Sequence, residues 1–296
     1  MKKYIILIPL YNDWKSVSKV LNGIDLQISN WDADVSVVII NDASTEKRSG
    51  ISANYKNIKS IKIINMKKNR VHQRCIAAGL KYIYKNDNFD RVIIMDADGE
   101  DRPEELNDLF KKANENPNKT ITGNRFKRSE SFLFRICYVI HKILTVVFTG
   151  KLIKFGNFTC LPREHVELLI NKAYLWNTYS SSVFRTINDR TSIQVVRGTR
   201  HFGPSKMNFF SLIHHSLTII SVFLKEVIIR SVIFIAVYSF IFFDRFSLFY
   251  FFPILLLLTF VFIIYKISLR SNKRELEESL NNIGSIDILG DPNSRQ

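Results

Sequence analysis

The chain has 296 residues and a mass of 34.5 kDa, with 46% hydrophobic and 23% charged residues, which excludes a disulfide-stapled mini-protein, a disordered chain and a bundle made wholly of membrane spans. Its 42 Lys and Arg against 27 Asp and Glu leave +15, so an anionic partner is expected: nucleic acid, a phosphorylated ligand or an anionic membrane face. The cysteines, Cys75, Cys137 and Cys160, share no metal-ligand spacing and read as small buried side chains in a reducing compartment.

Met1-Lys2-Lys3 followed by Tyr4–Leu10 imitates a signal peptide, but the apolar run is short, contains Pro9 and lacks a small-residue cleavage site, so a first buried strand is expected. Further apolar runs lie at Val35–Ile40, Ile61–Ile64 and Arg91–Met95, separated by helical patterns at Asp13–Leu21, Val71–Tyr84 and Pro103–Ala113. Strands that are apolar throughout and alternate with helices imply an open, mostly parallel α/β sheet with helices on both faces. Ligands bind such sheets beyond the carboxyl ends of the strands, which directs attention to the loops after Leu10, Ile40, Ile64 and Met95.

The fourth of these loops carries the strongest chemical signal, Asp96-Ala-Asp98-Gly-Glu100-Asp101-Arg-Pro-Glu. Alternate spacing turns Asp96, Asp98 and Glu100 the same way if the chain stays extended. Clustered carboxylates repel, and a hard divalent cation, Mg²⁺ or Mn²⁺, relieves the repulsion while still binding phosphate oxygens. The bland alternative is a solvated acidic loop capping the helix that begins near Pro103.

After Arg128 the chain changes character. Residues 131–265 hold a net +9, against +6 for residues 1–130 and zero for residues 266–296. There the basic residues interrupt long Phe, Ile, Leu and Val runs, a pattern of membrane surfaces and not of nucleic-acid readers, so no nucleic acid is expected. Phe132–Phe148, with Arg135, Lys142 and Thr149 along one stripe, and Lys206–Leu224 are expected as amphipathic helices lying in the membrane interface. Val227–Phe243 and Phe246–Tyr265, 17 and 20 residues, are long enough at ~1.5 Å per residue to cross a hydrocarbon core of roughly 30 Å as a hairpin, provided Arg230 snorkels. Lys225 and Arg230 before it and Lys266, Arg270, Lys273 and Arg274 after it place both termini and the α/β part in the cytoplasm of a multi-pass membrane protein. The hairpin also offers a surface for homo-oligomerisation. The expected division is an α/β core at 1–130, interfacial helices at 131–226, the transmembrane hairpin at 227–265 and a mobile tail at 266–296.

Ile8-Pro9-Leu10-Tyr11-Asn12-Asp13, Ile39-Ile40-Asn41-Asp42-Ala43-Ser44, Asp96-Ala-Asp98-Gly-Glu100-Asp-Arg-Pro103-Glu104 and Gly123-Asn-Arg125 together resemble glycosyltransferase family 2. Arg200-His201-Phe-Gly203-Pro-Ser205-Lys206 resembles its polyprenyl-phosphate branch, which includes dolichyl-phosphate mannosyltransferases and undecaprenyl-phosphate glucosyltransferases. The resemblance implies a GT-A-like fold and inverting, metal-dependent transfer of a hexosyl group from a nucleoside-diphosphate sugar to a polyprenyl phosphate, for cell-envelope or glycoconjugate assembly. It implies that Pro9, Tyr11, Asp13, Ile40 and Asp42 hold the base and ribose and that Asp96 and Ala97 border the ribose and diphosphate. Asp98 and Glu100 would bind the metal, and Arg125, Arg200 and Lys206 would contact the donor diphosphate or acceptor phosphate. Asp98, Arg125, Arg200 and Lys206 are thus the expected catalytic set. To the acceptor-phosphate contacts the position of the first interfacial helix adds Arg128 and Arg135.

Four departures from the family pattern bear on this. Asn41 replaces an acid, and Ala43 stands where glycine is usual, which should restrict positive φ. Gly99-Glu100 replaces Leu-Gln and adds a negative charge. Asn69-Arg70-Val71-His72-Gln73-Arg74 replaces small glycines, so His72 and Arg74 become candidates to touch the donor. A lipid phosphate is already an anion, so no general base is needed. Transfer to a sugar hydroxyl would instead need one, with Asp101 the candidate; an inactive membrane scaffold is the alternative from another class. Processive synthesis is disfavoured because Trp14, Trp31 and Trp176 lie outside the Gln-x-x-Arg-Trp context.

Overall fold

The computed structural model describes residues 1–52, 54–127, 132–203, 209–243 and 248–290, and leaves out the side chains of 126, 127, 132–138 and 248. The chain divides into two compact units, one of Met1–Ser129, Lys154–Ser205 and Lys273–Gln296, the other of Glu130–Ile153 and Lys206–Asn272.

The first unit is built on β1 (Lys2–Leu10), which pairs in parallel with β2 (Ala33–Asn41) on one side and β4 (Arg91–Ile94) on the other, while β3 (Ile61–Met66) extends the sheet beyond β2. All four strands cover the apolar runs seen in the sequence. Alternation along β1 sends Tyr4, Ile6, Ile8 and Leu10 into a core with α1 (Trp14–Gln27) and α3 (Leu106–Glu115). Ile5 and Leu7 enter a second core with α2 (His72–Asn86), α5 (Arg163–Ile170) and α6 (Tyr179–Thr186). Burial on both faces at ~1.5–3 kcal/mol per large aliphatic side chain is why the strands contain so little polar sequence.

Three strands escape the sequence reading: β5 (Thr120–Lys127), β6 (Phe155–Pro162) and β7 (Arg190–Val196). The full order is β7-β5-β6-β4-β1-β2-β3-β8, with β6 antiparallel to both β4 and β5, and β7 parallel to β5. β5 and β7 are rich in Thr, Arg and Gln and half exposed along β7, so they lack the apolar run by which the central strands are recognised. Strand order reverses between β1 and β4, and a crevice at the carboxyl ends of those strands is the expected ligand site of such a sheet.

The tail does not behave as the sequence reading expects. Residues beyond Asn272 form α10 (Lys273–Glu277), a short 3-10 turn (Ser279–Asn282) and β8 (Ile283–Leu289), which pairs antiparallel to β3 from Ile61↔Leu289 to Asn65↔Ser285. Leu276 is buried, its carbonyl accepts from the buried Lys81 Nζ at 2.9 Å, and Glu275 accepts from Trp176 Nε1 at 2.8 Å. The physical reason is the otherwise unpaired edge of β3, which β8 covers.

In the second unit α4 (Phe132–Thr149), α7 (Phe209–Ser221), α8 (Leu224–Ile241) and α9 (Leu248–Ser268) occupy the segments expected as interfacial helices and spans. They share a small core of Ile220, Val227 and Ile264 backed by Leu144, Phe148 and Phe260. α8 and α9 are joined by stacking of Tyr238 on Tyr250, with centroids 5.3 Å apart, and by Tyr250 Oη donating to Ser239 Oγ at 2.8 Å. The connection between them, Asp244-Arg245, lies outside the described residues. Among the described residues α9 provides the one helix long and apolar enough to cross a membrane. α8 is apolar after its first two turns but carries Lys225, Glu226 and Arg230. Arg230 donates to the Val147 carbonyl at 3.2 Å, at the end of α4. Outward faces of α4 and α8 leave Ile140, Ile143, Val147, Val232, Phe234 and Phe240 exposed, an apolar surface that water would not stabilise.

If the tail is part of the folded unit, Leu276→Ala should lower its stability by about 2–4 kcal/mol, the cost of a core truncation. Thermal unfolding of the detergent-solubilised protein measures this; a dispensable tail would leave the transition unmoved.

Candidate active site

Loops after β1, β2 and β4 meet at the carboxyl ends of the central strands. Asn12 clasps the first two: its N–H donates to Ser44 Oγ at 2.9 Å, and its Oδ1 accepts from the backbone N–H groups of Thr45 and Glu46 at 2.9 and 3.1 Å. Asn12 and Ala43 both adopt positive φ, 50° and 56°. Ala43 thus takes the left-handed turn that its side chain was expected to restrict, at a modest steric cost.

Asp42 is buried and its carboxylate accepts from the N–H groups of Arg70 and Val71 at 2.7 and 2.9 Å. Sequence reasoning placed Asp42 on the nucleotide; in the structure both its oxygens hold the segment that leads into α2. That segment needs holding. Val71 has φ 76° and ψ 149°, a region nearly reserved for glycine, with a cost of order 1–3 kcal/mol for a β-branched residue. The next residue, His72, places Nε2 3.1 Å from Asp96 Oδ1, and Asn157 Nδ2 from β6 donates to the same oxygen at 3.2 Å. Arg74, the other donor candidate of this segment, instead lies over the Trp176 ring at 5.0 Å and 3.5 Å from Glu275.

The acidic loop is folded tightly on itself. Asp98 Oδ1 accepts the Glu100 N–H at 2.9 Å, and Asp101 Oδ2 accepts the Asp96 N–H at 3.1 Å. Residues 197–201, just after β7, run across it: Gly198 N–H donates to the Glu100 carbonyl and His201 N–H to the Asp98 carbonyl, both at 2.9 Å. Glycine is required at the crossing. A Cβ on Gly99, where φ is +90°, would lie 2.5 Å from the His201 ring, and one on Gly198 would lie 2.8 Å from the Gly99 carbonyl. Each carboxylate meets a cation. Arg200 bridges Asp98 at 2.7 Å and both oxygens of Asp13 at 2.8 and 3.0 Å; Arg197 Nε donates to Glu100 Oε2 at 2.8 Å; Arg125, from β5, lies 3.4 Å from Asp101.

These groups shift one another's protonation. Burial favours neutral Asp96, yet His72 and Arg125 overcome it and hold its carboxyl well below the usual range. Burial, with Asp96 and Glu100 close by, pushes the Asp98 carboxyl up to about 6. Burial and the Asp96 charge likewise push Asp101 up to about 7, against the pull of Arg125.

Of the residues expected in the site, the structure brings together Asp13, Asp96, Asp98, Glu100, Arg125 and Arg200. Pro9 and Ile40 pair across β1 and β2, but the Ile40 side chain is buried in the core beside Gly79. Tyr11 is exposed at the mouth of the loop and Ala97 is buried. Arg128 and Lys206 lie outside the described residues, as does the side chain of Arg135 in α4. Among the described residues no group of three His, Cys, Asp or Glu is gathered closely enough to hold a metal ion, so the expected trio Asp96, Asp98 and Glu100 is paired with His72 and arginines instead. Sequence reasoning missed Asn157, Gln73 and Arg197. Gln73 accepts the Tyr179 N–H at 2.6 Å and anchors α6 to α2. A clue to Arg197 was available in Arg197-Gly-Thr-Arg200, two cations around a glycine directly after a strand. Asp101, the base that a hydroxyl acceptor would need, is buried with both oxygens engaged.

An α/β sheet whose strand ends gather acids and arginines is a frame for handling a diphosphate between cations. The chain belongs to glycosyl transferase family 2, whose pattern matches residues 5–152. It is 24% identical over 222 residues to the undecaprenyl-phosphate 4-deoxy-4-formamido-L-arabinose transferase of Klebsiella pneumoniae (strain 342), covering 72% of this chain and 65% of that protein. The protein of the same description from Photorhabdus laumondii is 26% identical, covering 72% of this chain and 66% of its own length. The chain therefore spans just under two thirds of the length of these curated relatives. Among solved structures, glucosyl-3-phosphoglycerate synthase from Mycobacterium tuberculosis in complex with Mn²⁺ and uridine diphosphate superposes with a TM-score of 0.53 at 12% identity, over 76% of this chain and 80% of that one. Mannosyl-3-phosphoglycerate synthase from Rubrobacter xylanophilus gives a TM-score of 0.54 at 12% identity, over 74% and 72%. Both likenesses establish the GT-A-like fold.

Val71→Gly should relieve the backbone strain and, since the valine is exposed, raise stability by about 1 kcal/mol, read as a rise in the thermal midpoint.

Proposed function

We propose that the protein is a membrane-bound inverting glycosyltransferase that moves a sugar from a nucleoside diphosphate to a polyprenyl phosphate. The observation that carries this is the meeting of Asp98, Glu100 and Asp101 with Arg200, Arg197 and Arg125 at the strand ends, in a chain that also supplies an apolar helical unit. The undecaprenyl-phosphate relatives support the acceptor class. In the reaction an acceptor phosphate oxygen forms a bond to the anomeric carbon as the bond from that carbon to the donor diphosphate breaks, and configuration inverts. The acceptor arrives as an anion, so no residue has to remove a proton.

The carboxylates present suit a hard divalent cation: they are oxygen donors, and burial together with the neighbouring Asp96 and Glu100 charges raises the Asp98 carboxyl. Asp98 and Glu100 would hold Mg²⁺ or Mn²⁺, which would supply positive charge to the departing diphosphate. Arg200 has an unpartnered buried Nε, a donor left for a phosphate oxygen. Arg125, kept charged by Asp101 and Asp96, adds a fixed cation behind the acidic loop. Pro9, Tyr11 and Asp13 border the place for the nucleotide, and Arg128, Arg135 and Lys206 are the acceptor-side cations of this reading. α4 and α7 lie in the headgroup region with α8 and α9 as the membrane hairpin, both chain ends on the cytoplasmic side. The apolar acceptor chain can then stay in the bilayer while its phosphate reaches the site.

A panel of nucleotide sugars offered with undecaprenyl phosphate and Mg²⁺ or Mn²⁺ tests the proposal; it fails if none is turned over. Asp98→Ala should reduce turnover by at least a hundredfold with membrane association retained. A cation needs the Asp98 carboxylate ionised, and that carboxyl is raised to about 6. Calorimetry should therefore find Mn²⁺ affinity rising as pH increases through 6, up to about tenfold per unit, and levelling off above about pH 7.

A further inference from the structure

We infer that Arg197 and Arg200 form an internal guanidinium clamp that takes one carboxylate oxygen each of Glu100 and Asp98, so that a divalent cation competes with it, and that Arg197 is the positioning residue matched to Glu100. The inference rests on the reading of those two acids as the cation ligands.

The register of residues 197–201 on the acidic loop carries the argument. Backbone bonds from Gly198 and His201 fix the two segments against each other at both ends. Between and beside those bonds, Arg197 faces Glu100 and Arg200 faces Asp98. The glycine crossing allows no slack, because a Cβ on either Gly99 or Gly198 would collide. Both Asp98 oxygens are engaged, one by Arg200 and the other by the Glu100 N–H. One oxygen of Glu100 takes both Nε and Nη2 of Arg197. All four side chains are at most 21% exposed, so their attraction is only partly screened by water. A carboxylate oxygen turned fully to a guanidinium is not available to a cation. Cation and clamp therefore compete, and each arginine released keeps its charge beside the acidic loop, where a diphosphate would meet it. Entry of the cation thereby prepares phosphate contacts, and by linkage the diphosphate strengthens cation binding by the same factor. The pairing also offsets the charge that Glu100 adds to the loop.

Mn²⁺ binding to the full-length protein in detergent, followed by electron paramagnetic resonance without sugar donor or lipid, tests this directly. Arg197→Gln should bind Mn²⁺ roughly tenfold more tightly than the wild type, and Arg197→Lys, which keeps the charge but not the fork, should fall between. In the Glu100→Gln background the same Arg197→Gln change should have no effect, since it acts through Glu100. Unchanged or weaker binding in Arg197→Gln, with the lysine variant showing no graded effect, overturns the clamp, as does failure of every variant to bind Mn²⁺. Because neither substrate is present, failure of sugar transfer and failure of the clamp are separate results.

Discussion

Repulsion among carboxylates crowded onto one loop is the constraint on which the site depends. Asp96, Asp98, Glu100 and Asp101 fall within seven residues after β4, and the fold answers each with a cation or donor from elsewhere: His72 from α2, Arg200 and Arg197 from the segment after β7, Arg125 from β5. Burial, and the neighbouring carboxylates after it, still raise the carboxyls of Asp98 and Asp101 despite these partners. A site of this kind is held by attraction between segments distant in sequence, so its geometry requires the whole sheet to be in register.

Backbone strain is concentrated at the same place. Asn12, Ala43 and Val71 all take positive φ within the loops that frame the crevice, and two of them are held by side-chain bonds: Asn12 by Ser44 and its neighbours, Val71 by Asp42. This pattern recasts the family departures. Ala43 and Val71 stand where glycine would be free of strain, and the carboxylate of Asp42, with both oxygens on backbone N–H groups, supplies part of the compensation. His72, which arrives with the same departure, becomes the counter-charge of Asp96.

The central sheet was legible because strands buried on both faces must be apolar along their whole length, and four such runs are visible. β5 and β7 were not, since they border the site and keep polar residues. The tail was misread on its Glu and Asn content; what decides its order is the unpaired edge of β3, a property of the assembled sheet. In the helical unit, the apolar stretches announced helices without saying what Arg230 would do. Its contact with the Val147 carbonyl arises from the packing of α8 beside α4.

The sequence by itself determined the α/β frame, the position of the acidic loop at a strand end and the apolar character of the second unit, because these follow from local periodicity and residue type. Only the tertiary structure decided which cation serves which acid, that Asp42 braces a strained segment, and that Arg197 and Arg200 lie across the loop. Ion pairs between residues about a hundred positions apart leave no periodic trace in a sequence. They exist because the segment after β7, although β5 and β6 separate that strand from β4, runs across the loop that follows β4.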